Sequence, residues 1–133
     1  MKNGDAELER MIERIRAVPG IAKRAAPDAA EAVREALART AAAGTTPEGQ
    51  AWAPRKDDGG RPLVGAGEAL RAAAVGTRIF IRLEGHVARH HRGIARGGVE
   101  RRLLPEKGIT PAIGKAIREV VTDHFRRTVE GRD

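Results

Sequence analysis

The stretch VGTRIFIRLE, residues 75–84, carries the strongest β signal in the chain. Val75, Thr77, Ile79, Ile81 and Leu83 alternate with Arg78, Arg82 and Glu84. A period of two puts the first set on one face of a strand and the charged set on the other, with Phe80 on the charged side. An isolated strand is barely stable, so this one requires partners. Leu63-Val64 and Val99 to Leu104 are the candidates, and both are short. Either the sheet is small or a neighbouring subunit completes it.

Outward from the strand the pattern turns helical. Upstream, a short helix is expected around 67–73. Before it, Gly44 to Pro62 reads as a loop, with Thr-Thr-Pro, Glu-Gly, Ala-Pro and Asp-Asp-Gly-Gly as turn chemistry. Trp52 sits in the middle of that loop. A lone Trp there is either an anchor pinning the loop to the core or a hot spot for a partner. A helix is expected from Pro27 or Asp28 to Ala43, because proline suits the first helical turn. Its face of Ala29, Ala30, Val33, Leu37 and Thr40 is narrow and allows close packing.

An earlier helix follows Asp5 and ends at Pro19-Gly20. Leu8, Met11, Ile12, Ile15 and Val18 form its apolar stripe, which packs by default on the domain's own core and otherwise on a neighbour. Downstream, His86 to Arg92 reads as a helical turn and Ile94 to Gly98 as a flexible basic segment. The last helix is capped by Thr110, starts at Pro111 and ends at Gly131. Ile113, Ile117, Val120, Val121, Phe125 and Thr128 make its buried stripe.

With 133 residues the chain is one domain by size. We divide it into a helical N-terminal part (5–43), the Trp-containing loop (44–62) and a core (63–129). The only aromatics are Trp52, Phe80 and Phe125, so no stacking platform for single-stranded nucleic acid is available. The net charge of +7 permits binding to nucleic acid or an acidic protein surface. Twenty of the 25 basic residues are arginine, however, and alanine is abundant, a bias that a GC-rich genome also produces. No cysteine is present, which excludes disulfides and thiolate metal sites. No apolar run approaches the ~20 residues that span a bilayer, and no secretory signal is read. The expected setting is a cytosol, with no membrane contact.

Catalytic chemistry is not expected. The sequence holds no serine, and no base is paired with a threonine or carboxylate nucleophile. The segment 65–67 (Gly-Ala-Gly) is too short for a dinucleotide fingerprint, and no phosphate loop exists. His86, His90 and His91 have metal-ligand residue types, but Val87 stands where a zinc-protease motif needs Glu, and Arg89 and Arg92 repel a cation. No cofactor and no metal is expected.

From Arg78 to Arg102 there are seven arginines, at 78, 82, 89, 92, 96, 101 and 102, against Glu84 and Glu100. Such a run can follow a phosphate backbone without reading sequence, meet an acidic protein ring, or remain a solvated loop. The candidate partner interface therefore combines Trp52, Pro54 and Arg55 of the loop with Arg89, His90, His91, Arg92, Arg96, Arg101 and Arg102.

Four segments in order carry a family resemblance: GQAWAP, RPLVGAGEALRAA, GTRIFIRLEGHVARHHRG and RRLLPEKGITPAIGKAI. Together, over residues 21–129, they resemble the phage virion morphogenesis family, the tail completion proteins of Mu-like and related tailed phages and prophages. Pro47, Gly49, Trp52 and Pro54 match its loop motif. Leu63, Gly65, Gly67 and Leu70 match the next segment, although Glu68-Ala69 replaces a single residue. Ala88, His91 and Gly93 match the motif after the strand, with Val87 where an aromatic is common. Arg102, Leu103, Leu104 and Pro105 match the segment before the last helix.

The resemblance implies an α+β fold, with N-terminal helices and a C-terminal helix packed on a small antiparallel sheet. It implies a structural role in tail completion or head–tail joining, as a ring whose contacts are heterologous and closed. A partner subunit would complete the sheet by strand addition. Partners would be other tail or head–tail connector proteins and further copies of the chain, with possible non-specific DNA contact. The location would be the virion tail or neck, after assembly in the host cytoplasm. The alternative reading is a small basic nucleic-acid-binding protein.

Overall fold

The computed structural model describes residues 2–54, 62–63, 65–91, 100–106 and 108–131. The architecture is α+β. Helix α1 (Lys2–Ala17) leads through a 3-10 turn (Val18–Gly20) into α2 (Ile21–Ala42). A second 3-10 turn (Ala66–Ala69) leads into strand β1 (Leu70–Val75), then β2 (Arg78–Leu83), α3 (His86–His91) and α4 (Pro111–Glu130).

Helix α4 is fixed at both ends by local chemistry. The Thr110 hydroxyl accepts from the Ile113 N–H at 3.3 Å, Pro111 occupies the first turn, and Gly131 closes the helix at φ 71° with its N–H donating to Arg127 O. Along its stripe Ile113 is buried and Ile117, Val120 and Val121 are half-buried, but Phe125 is exposed.

Helix α2 runs antiparallel to α4, and this is the most extensive contact between elements. Arg24 Nη2 donates to Thr128 Oγ1 at 3.3 Å near one end, and His124 Nε2 lies 2.8 Å from Asp28 Oδ2. At the other end Val33 and Leu37 pack with Ile113. Contrary to expectation α2 begins at Ile21, six residues before Pro27. A proline inside a helix loses one backbone hydrogen bond and costs about 3 kcal/mol. Burial of Ile21, Ala25 and Ala26, together with the Arg24 and Asp28 contacts to α4, offsets that cost.

The sheet differs from the sequence reading. Val75 to Leu83 is not one strand: Gly76, at φ 62°, and Thr77 form a two-residue hairpin loop. Glycine first in such a loop matches the right-handed twist of the flanking strands. The partner strand is Leu70–Val75, much of which was expected to be helical. Leu63 and residues 100–104 are in no strand, and Val64 and Val99 lie outside the described residues. The register pairs Leu70 with Leu83, Ala72 with Ile81 and Ala74 with Ile79 on the inner face. Arg71 opposite Arg82, Ala73 opposite Phe80 and Val75 opposite Arg78 form the outer face.

Among the described residues, two clusters make the core. Val33, Leu37, Leu70 and Ile113 fill the space between α2, the hairpin and α4. Ala41, Trp52, Ala66, Val87 and Leu103 fill a second space, and the partly buried Leu83 touches both. A Cβ on Gly67 would stand 3.0 Å from Ala38 Cβ and 3.2 Å from Ala38 Cα, so the 3-10 turn approaches α2 closely enough that any larger residue would require Ala38 to shift by a few tenths of an ångström.

Three residues of the α1 stripe do not enter this core. Leu8 is 55% exposed, Met11 57% and Ile12 38%. The default expectation for that stripe is overturned at these three positions: α1 meets the rest of the fold mainly at α4, and none of its described residues belongs to either cluster.

Candidate partner interface

The Trp52 loop is held in place by bonds within itself and to the 101–106 segment. After α2, Gly44 at φ 74° turns the chain, Thr45 pairs with Ala51, and the Trp52 N–H donates to Gly44 O at 2.8 Å. Trp52 is 7% exposed, and its indole Nε1 donates to the Arg102 carbonyl at 3.0 Å. Arg101, also 7% exposed, answers in the opposite direction: its Nε donates to Ala53 O at 3.0 Å and Nη2 to Pro54 O at 3.2 Å. The Leu103 N–H donates to His91 Nδ1 at 3.2 Å, and the Leu103 side chain is fully buried. Glu48 Oε1 accepts from the Glu106 N–H at 3.2 Å.

These bonds form a clamp that ties the 44–54 loop and the 101–106 segment to α3. The chemistry is structural: the buried indole and guanidinium N–H groups, which would otherwise lack acceptors, are satisfied by backbone carbonyls. Trp52 thus acts as an anchor. Trp52 and Arg101 face inward, so the candidate interface does not present either of them as an open surface. Pro54 is exposed, and its carbonyl belongs to the clamp.

The other candidate residues are dispersed. Arg102 Nη1 pairs with Glu100 at 2.8 Å. Arg89 and His90 lie on α3, and their side chains are outside the described residues, as are Arg55, Arg92 and Arg96 altogether. His86 is exposed at the start of α3. The seven arginines of the basic run therefore do not share one face: Arg101 points into the clamp while Arg78 and Arg82 stand on the outer face of the hairpin.

That outer face is a feature the alternation predicted only in part. Arg71 and Arg82 are directly opposite each other, an unfavourable like-charge pair. Glu84 relieves it, with Oε2 3.2 Å from Arg71 Nε and Oε1 3.1 Å from Arg82 Nη2. Beyond this ion triplet Phe80 is 52% exposed, between Arg78 and Arg82 in sequence and beside the exposed Val75. Behind the hairpin a groove of about 450 Å³ is lined by Val33, Ile79, Ile81, Ile109, Ile113 and Ile117 among others. No sequence signal marked Ile109, which lies at the groove in the segment before α4 and is largely exposed.

Among the described residues, no helix is long and apolar enough to cross a membrane, and no three His or carboxylate side chains gather as a metal site. Glu31 is held below the usual carboxylate range by hydrogen bonds from Arg34, three residues on along α2.

No family model, curated protein or solved structure matches this chain.

Proposed function

We propose that this chain is a structural protein of phage or prophage virion assembly, acting in tail completion or head–tail joining. The observation that carries the reading is the convergence of the resemblance motifs. Trp52 and Pro54 come from one motif, His91 from another, and Arg102 and Leu103 from a third, and all join the same clamp. A shared order of short motifs across this span fits residues that build one structural unit. The α+β architecture agrees with what the resemblance implies.

Since Trp52 and Arg101 are spent on the clamp, contact with partners falls to exposed surfaces. The outer hairpin face, with Val75, Arg78 and Phe80, is where we place the contact with other tail or connector proteins. Among the described residues the sheet has only two strands, which leaves room for strand addition within a ring of copies. The role is structural, without catalysis or cofactor. Nucleic-acid binding draws support from Arg78 and Arg82 beside Phe80. It is weakened by the inward turn of Arg101 and by the pairing of Arg82 and Arg102 with glutamates.

The test is negative-stain electron microscopy of lysate from a host lacking the gene, with a complemented control. Filled heads and loose tails, joined again on complementation, are expected. Intact infectious particles without the gene would remove the assembly role and turn attention to salt-dependent DNA binding.

A further inference from the structure

Residues 7–16, on α1, read ELERMIERIR. Set against its own reverse, the segment places Glu7 opposite Arg16, Leu8 opposite Ile15, Glu9 opposite Arg14, Arg10 opposite Glu13 and Met11 opposite Ile12. In this linear alignment every charge stands against its opposite and every apolar residue against another. Sliding the register by one residue in either direction sets Leu8 against an arginine. The match is specific to one alignment.

This pattern lies on the face that the fold leaves bare, since Leu8, Met11 and Ile12 are all exposed. At 100° per residue these three and Ile15 belong to one stripe, with Glu9 and Arg16 along one flank and Glu7 and Arg14 along the other. We infer that two copies of the chain pair through α1, antiparallel, about a twofold axis between Met11 and Ile12. In that arrangement Glu9 of each copy shares a flank with Arg16 of the other. A parallel pair would bring Glu7 and Glu9 of both copies level at one end and the arginines level at the other. Like charges disfavour it. A twofold contact is self-complementary by definition, and an inverted charge pattern is what self-complementarity requires of a sequence.

The stripe is about 10 Å long, which is shorter than a standard protein interface provides. Association in about the 10–100 µM range follows, strong enough to act where copies are concentrated in an assembly. The inference does not depend on the assembly role.

Sedimentation of the full chain over a concentration series tests it. A monomer–dimer equilibrium is expected. Glu9→Arg and Arg16→Glu should each weaken it about tenfold, because each change converts two symmetric attractions into repulsions. The double variant should return to within about threefold of the parent. These residues are exposed, so circular dichroism should show all three variants folded. Orientation is read by cross-linking, since the chain has no cysteine of its own. Ile12→Cys lies beside the axis and should form a disulfide dimer on mild oxidation. Leu8→Cys should not, because its copies are about 10 Å apart along the helices, beyond disulfide reach. A chain that stays monomeric to about 1 mM overturns the proposal, as do charge variants that leave the equilibrium unchanged. Equal cross-linking at both positions overturns the antiparallel arrangement.

Discussion

The indole of Trp52 donates to the carbonyl of Arg102, 50 residues later, while the guanidinium of Arg101 donates back to Ala53 and Pro54. Each side chain thus binds the backbone that follows the other in sequence. This reciprocity accounts for a buried arginine and a buried tryptophan in a chain with few aromatics. It also removes both from the list of surface contacts and makes the clamp a determinant of stability.

Trp52→Ala should therefore destabilise the fold itself, by about 3–5 kcal/mol for the lost packing. Trp52→Phe keeps most of the apolar volume but leaves the Arg102 carbonyl unpaired, at about 1–3 kcal/mol. Urea denaturation followed by circular dichroism would measure both. A Trp52→Ala variant that unfolds at the parent's midpoint would contradict the anchor role.

Arg101→Lys should also cost stability, by about 1–3 kcal/mol. A lysine has one nitrogen and cannot reach the Ala53 and Pro54 carbonyls with the fixed spacing of Nε and Nη2. If denaturation midpoints of the two proteins coincide, the paired geometry is unimportant.

Gly67→Ala tests the close approach of the 3-10 turn to α2. The added methyl meets Ala38 Cβ and backbone at 3.0–3.2 Å. An overpacking cost of about 1–3 kcal/mol is expected. Combining it with Ala38→Gly should recover part of that loss, although glycine within the helix has a penalty of its own.

The outer hairpin face should behave in the opposite way. Phe80→Glu replaces an exposed side chain and should change stability by no more than about 0.5 kcal/mol. In a complementation assay, the same change should reduce the yield of joined particles if this face meets a partner. Normal yield from a stable variant would move the contact elsewhere.

At acid pH the Glu31–Arg34 pair supplies a small, signed effect. The folded-state pKa of Glu31 is lowered, so its contribution is present above the unfolded value and is lost as pH falls through the folded value. Both side chains are partly solvated, which limits the contribution to about 0.2–0.5 kcal/mol. Glu31→Gln should flatten the acid limb of the stability curve by that amount and leave the region well above it parallel to the parent.

The features legible in the sequence are those whose causes lie within a few residues. Thr110, Pro111 and Gly131 bound α4 because caps and stops act over one helical turn. Ile79, Ile81 and Leu83 take the inner face because side chains alternate along any strand. The inverted charge pattern of α1 was equally present in the sequence, but gained meaning only when Leu8 and Met11 proved exposed. Tertiary structure decided the rest. Residues 70–75 contain three alanines, good helix formers, yet pair with β2 because Leu70, Ala72 and Ala74 then share an inner face with Leu83, Ile81 and Ile79. Pro27 stays inside α2 because α4 binds the turns on either side of it. Trp52 and Arg101 turn inward because each satisfies carbonyls brought from nearly 50 residues away. A local pattern states what a segment can form, and only the partner that the fold delivers determines which option has the lower free energy.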